Sequence, residues 1–328
     1  MEPLVQSRRA ERGRARPVPR GDGDGPGIEP GQHRQMGRLG SGPALGPKSP
    51  IKSVFALVAA LASACALAQP CDKPVYLTFD TGHMGVAPLI AETLKKFDAK
   101  ATFFLANEPT LTGGMTLDAT WAPWWKERAA EGNDFGAHTW NHDIWLEDIP
   151  DAEGKVTRFK VRTVAGMNEP VVHEVTAEEY CDSLKKVGAR FLEMTGRPLD
   201  PIFRAPAGRA SKALLAVAQR CGFHHVGWNA AGFLGDELPS DKYPNAQLLD
   251  KALKNIKPGD ILLAHLGIWS RQDAWAPAVL EPLMQGLKER GMCFAPLHEN
   301  PRYAPLMSPS RMGGGNGGKP VAKSARQR

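Results

Sequence analysis

The apolar run at residues 54–67 falls short of the roughly 20 residues a membrane-spanning helix needs. Lys52 precedes it and Ala66-Leu67-Ala68 closes it with a small-x-small pattern. It is therefore read as a secretory signal peptide over 51–68, cleaved after Ala68, which leaves no integral membrane segment in the mature chain. Cys65 offers a lipoprotein alternative, but Ala62 stands where a lipobox prefers Leu. The sequence also lacks an even spread of charge: residues 1–68 hold ten Lys/Arg against five Asp/Glu. Five more basic residues (Arg311, Lys319, Lys323, Arg326, Arg328) sit in a glycine-rich tail without an acid. The globular part is mildly acidic, so the net charge of +6 does not argue for a nucleic-acid partner. Cysteine is scarce, and the spacing of the five present does not resemble a zinc site. No internal repeat is visible.

Residues 1–50, rich in Gly, Pro and Arg, are read as a disordered extension or the result of a start codon placed too far upstream. Residues 306–328 read as a disordered tail, leaving one domain over 69–305. Export would place Cys71, Cys181, Cys221 and Cys293 in an oxidising compartment, where two disulfides in any of three connectivities are open. Burial as unpaired hydrophobes is the plainer expectation for Cys221 and Cys293.

Within the domain, short apolar runs at 74–79, 101–105, 135–138, 202–205, 225–228, 261–265 and 293–296 read as strands. Between them, 86–97, 121–130, 177–194, 211–219, 247–256 and 276–290 carry apolar residues at helical spacing, and Thr176 with Glu179 forms a capping-box pattern. Strand and helix alternating about seven times predict an α/β fold with parallel strands, in a barrel or a doubly wound sheet. Two segments break the repeat: a β-hairpin around Gly166 at 155–175 and a long loop at 230–246.

Polar residues gather at the C-terminal ends of the predicted strands: Asp80 on the first, His138 on the third with His142 four residues later, Arg204 on the fourth and His265 on the sixth. In a βα barrel the chemistry sits at that face. A lone strand-end Asp is usually a turn former and a lone buried His a structural one, so the convergence of five carries the inference. Two histidines four apart predict imidazoles on one side of a helical turn, able to share a cation. Arg204 cannot act as a base but can hold a carboxylate ionised. His265 titrates near neutrality and suits a general acid.

The motifs "TFDTG", "HTWNH", "RAPAG" and "LLAHLG", in that order over about residues 73–300, resemble those of the polysaccharide deacetylases, the NodB-homology or family 4 carbohydrate esterases. That resemblance implies a distorted (β/α) barrel of about seven parallel strands. It also implies one divalent metal, usually zinc, and removal of N-acetyl or O-acetyl groups from a polysaccharide or oligosaccharide. Asp80 would be the general base, His138 and His142 the metal ligands, Arg204 the residue orienting Asp80, and His265 the acid that protonates the leaving amine. The backbone N–H of Ala207 would help hold the oxyanion. Trp140 and Trp269 are expected to stack on sugar, with ordinary packing the alternative for each. Neither the glycan nor the oligomeric state is legible.

Two departures stand out. The family's second Asp, its third metal ligand, is Thr81 here. Thr81 itself, Asp80 or His83 could complete the site, and a metal on the two histidines with Asp80 close by is the favoured arrangement. The acid that tunes the family's catalytic histidine is also missing at 229–231. Asp236 or Glu237 could replace it, though both read as surface charges. The reading is an exported, periplasmic or secreted metal-dependent deacetylase. Its rivals are a catalytically impaired glycan-binding relative and a C–N hydrolase of small amides or cyclic imides.

Overall fold

The computed structural model describes residues 71–164 and 170–311. The expected signal segment and its cleavage point, residues 1–50, residues 165–169 with the Gly166 of the expected hairpin, and residues 312–328 lie outside them.

Strand β1 (Pro74–Asp80) is buried on both faces, as a central parallel strand must be. It pairs in parallel with β2 (Thr102–Leu105) on one side and β9 (Ile261–His265) on the other. From β2 the sheet continues through β3 (Asp134–Ala137) and β7 (Ile202–Phe203) to β8 (His224–His225), while β10 (Cys293–Phe294) pairs with the start of β1. All seven strands of this sheet are parallel. The edges at β8 and β9 are joined by the stretch 226–234 rather than by a regular strand. Val226 donates to Phe203 O on one side, and Asn229 and Leu234 donate to Ile261 O and Leu263 O on the other. The barrel is closed but irregular.

Helices α1 (Ala87–Lys96), α2 (Ala122–Ala130), α3 (Ala177–Thr195), α4 (Lys212–Arg220), α5 (Asn245–Asn255) and α6 (Leu280–Glu289) intervene between strands. The capping box at Thr176 and Glu179 starts α3, and Gly196 closes it in the left-handed conformation. Alternation along each strand divides the side chains. Val75, Leu77, Phe79, Phe103, Phe135 and Phe203 pack in one large core with helix residues. Tyr76, Phe104, Ile202 and Ile261 form a second cluster with Tyr303 and Met307 inside the barrel. Met307 lies in α7 (Ala304–Arg311) and Tyr303 just before it, so the packed domain runs past the expected boundary at 305.

The 155–175 hairpin forms as β5 (Val156–Thr163) against β6 (Val171–Thr176). A further strand, β4 (Asp143–Pro150), pairs with β5 and makes a three-stranded antiparallel sheet that the sequence did not suggest. Register shifts at Trp145/Glu147 and Ile149/Pro150 break its alternation, which removes the period-2 signal.

The cysteines pair as Cys71–Cys293 and Cys181–Cys221, with Cα–Cα distances of 5.9 and 5.8 Å. This corrects the expectation of unpaired Cys221 and Cys293. Among the described residues no helix is long and apolar enough to cross a membrane.

Candidate active site

Asp80, His138, Arg204 and His265 fall on the same strand parity as Tyr76, Ile202 and Ile261, so the alternation that fills the barrel's interior also aims these four at its C-terminal mouth. Asp80 and His265 are register partners on β1 and β9. Asp80, Thr81, Glu108, His138, His142, Ala207, Glu237 and His265 line one cavity of about 270 Å³, with Ile144 of β4 and Trp228 on its walls.

Arg204 is fully buried; its Nη1 donates to Asp80 Oδ1 at 2.8 Å and its Nε to Val226 O at 3.2 Å. The guanidinium lies over the Phe104 ring, 4.2 Å from its centroid. Burial alone would raise the Asp80 carboxyl, but Arg204, with His138 and His265 adding to it, holds the group below the usual carboxylate range. Asp80 is therefore an anion at neutral pH.

His138 Nδ1 donates to Arg204 O at 2.9 Å, because a carbonyl can only accept. Nε2 is left as the lone-pair nitrogen, 3.5 Å from Asp80 Oδ2. Burial pulls the imidazole down to about 4, so it is neutral at pH 7. The HTWNH segment is not helical, contrary to the expectation from its spacing. Thr139 and His142 take positive φ (57° and 53°), and Thr139 Oγ1 accepts the Asp143 N–H at 2.7 Å. This tight turn between β3 and β4 still brings the two imidazoles to 4.9 Å between centroids.

His265 corrects the reading of Asp236 as a surface charge. Asp236 is buried, accepts the His265 backbone N–H at 2.6 Å and meets Nδ1 at 3.1 Å. It arrives there because residues 229–234 run beside β9 and carry it to the end of that strand. Glu237 Oε2 stands 3.8 Å from Nε2. Burial opposes the imidazolium, but Asp236, then Asp80 and Glu237, push His265 up to about 9. The Glu237 carboxyl is itself raised, chiefly by burial.

Ala207 sits at φ 55°, ψ 17° between Pro206 and Gly208 and lines the cavity. A Cβ on Gly208 would meet the Trp228 ring at 2.5 Å, so only glycine lets that indole close against the wall.

Three expected site residues lie elsewhere. His83 lines a neighbouring cavity, where Nδ1 accepts the Gly85 N–H at 2.9 Å. Gly82 and Gly267 hold it there: His83 N–H donates to Gly267 O at 2.9 Å, and a Cβ on Gly82 would reach that oxygen at 2.1 Å. It does not join the His138–His142 pair. Trp140 lines a separate depression under Lys186, whose Nζ is 4.1 Å from its ring centroid, because the positive-φ turn faces it away from the mouth. Trp269 is 62 % exposed and meets His83 edge-on at 5.1 Å, beside the mouth but not on the cavity wall.

Thr81 donates to Glu108 Oε2 at 2.5 Å and accepts the Ala106 N–H at 3.0 Å. Sequence reasoning passed over Glu108, which lies three residues beyond the end of β2. Extending the strand-end search by one short turn would have found it.

The donor set suits a borderline divalent cation in part. His138 presents a lone-pair Nε2, and His142 Nδ1 is buried without a hydrogen-bond partner. As they stand, no three His, Cys, Asp or Glu side chains among the described residues converge closely enough to hold one.

Residues 68–226 match the family model described as polysaccharide deacetylase. The chain is 26% identical over 241 residues to a chitooligosaccharide deacetylase of Azorhizobium caulinodans, covering 69% of this chain and 93% of that protein. It is 24% identical over 250 residues to a peptidoglycan-N-acetylglucosamine deacetylase of Bacillus cereus, covering 70% and 71%. The chitin deacetylase of Colletotrichum lindemuthianum shares the fold, with a TM-score of 0.51 at 17% identity over 70% of this chain and 88% of that one.

Proposed function

We propose that the chain, whose residues 68–226 match the polysaccharide deacetylase family model, is an exported hydrolase that removes acetyl groups from an amino-sugar glycan of the cell envelope or its surroundings. The carrying observation is a pair of titratable groups pushed apart across one cavity: Asp80 held anionic by Arg204, and His265 held protonated by Asp236. Asp80 takes the proton from a water attacking the acetyl carbonyl, and Arg204 keeps the carboxylate fixed and ionised. The Ala207 N–H supports the oxyanion. His265 gives its proton to the departing amine, and Asp236 stabilises the imidazolium until then. His138 and His142 would hold a divalent metal, zinc foremost, which would polarise the carbonyl as a Lewis acid. Relatives act on chitooligosaccharide and peptidoglycan, so the substrate class is an N-acetylated β-glycan. The two disulfides support export, since such bonds persist in oxidising compartments.

Thr81, where the family carries an acid, favours a second reading: a glycan-binding relative with impaired turnover. Acetate release from N-acetylglucosamine oligomers by the zinc-loaded full chain separates the two. Release that disappears in Asp80→Asn and in His265→Ala supports the hydrolase. Oligomer binding by a folded protein, with no acetate released, supports the impaired relative instead.

A further inference from the structure

We propose that Glu108 supplies the acidic ligand of the His138–His142 centre, in the place Thr81 leaves neutral; this rests on the metallohydrolase reading above. Two ligating imidazoles bring no negative charge to a dication. Asp80 gives Oδ1 to Arg204, keeps Oδ2 3.5 Å from His138 Nε2 and serves as the base in the reading above, so a further carboxylate would balance the charge. Thr81 is a poor replacement. Its hydroxyl proton goes to Glu108 Oε2, and one of its lone pairs accepts the Ala106 N–H.

Glu108 is the carboxylate that this arrangement delivers. It is half-buried on the wall of the cavity that holds both histidines. Its main chain is pinned: its N–H donates to Thr116 Oγ1 at 3.1 Å, and its C=O accepts the Thr116 N–H at 2.8 Å. Movement is thereby confined to the side-chain torsions. In the structure as described the carboxylate rests on Thr81, and turning it toward the imidazoles closes a His-His-Glu set. Thr81 then becomes the hydroxyl that orients a ligating carboxylate, a role outer partners commonly fill. A glutamate reaching across a threonine thus replaces an aspartate at the threonine's own position.

The test is zinc binding to the full chain, read by competition with a chromophoric chelator, and the visible spectrum of the cobalt(II)-loaded protein. Glu108→Gln should weaken zinc by at least about tenfold and change the cobalt spectrum. Thr81→Asp in the Glu108→Gln background should regain the affinity. Wild-type affinity in Glu108→Gln, with binding lost in His142→Ala, would overturn the role of Glu108 and leave the metal reading standing. Absence of zinc binding in the wild type, or indifference to His142→Ala, would overturn both. If Glu108→Gln does not fold, Thr81→Val reads the same contact: severalfold weaker zinc supports the proposal and unchanged affinity counts against it.

Discussion

The Asp236 carboxylate grips His265 twice, through the backbone N–H at 2.6 Å and through Nδ1 at 3.1 Å. The imidazole cannot turn, and its proton is held to about pH 9. Asp236→Asn should lower the turnover rate by about 10²–10⁴ and move the alkaline limb of the pH profile from near 9 toward the ordinary imidazole value of 6.5. A variant with normal rate and an unmoved limb would remove Asp236 from the mechanism. The same raised value has a stability consequence. Stabilisation from this pair is complete below about pH 6.5 and fades as pH rises through about 9, which urea titrations at pH 6 and 10 would register.

Arg204 and Asp80 are a buried ion pair, and removing one partner strands the other. Arg204→Ala should destabilise the fold by about 3–5 kcal/mol in chemical denaturation, beyond any effect on rate. Asp80→Asn keeps the shape of the side chain but removes its charge, so it should abolish acetate release and, by leaving the buried Arg204 uncompensated, should cost stability as well. Equal stability of Arg204→Ala and wild type would mean that the pair does not hold the mouth together.

Cys181–Cys221 ties α3 to the end of α4 across 40 residues of sequence. Replacing both cysteines by serine should cost about 2–4 kcal/mol, measured by denaturant unfolding without reductant. The same unfolding midpoint with and without the bond would show that it does not form in solution.

Trp269, exposed beside the mouth, offers an apolar face to a sugar ring. Trp269→Ala should raise KM for longer oligomers by about threefold to tenfold, with kcat nearly unchanged, corresponding to about 0.5–1.5 kcal/mol of stacking. Loss in kcat alone would point to a structural role for the His83–Trp269 contact instead.

The barrel was legible because its strands are short, apolar and separated by amphipathic helices with recognisable caps. The strand-end rule then singled out Asp80, His138, Arg204 and His265 with no knowledge of their distances. Other features depend on contacts far apart in sequence. Asp236 reads as a loop charge until residues 229–234 are laid against β9, and β4 is hidden by its bulges. Glu108 stands just past the end of β2 without a motif of its own, and its tie to Thr81 is a hydrogen bond across 27 residues. Trp140, one residue inside the histidine motif, turns out to face another depression because Thr139 and His142 adopt left-handed backbone. Local pattern determined where the barrel strands lie and which groups stand at their ends. Only the packed tertiary structure decided which carboxylate serves which histidine, because that choice is made by register and loop closure rather than by neighbouring residues.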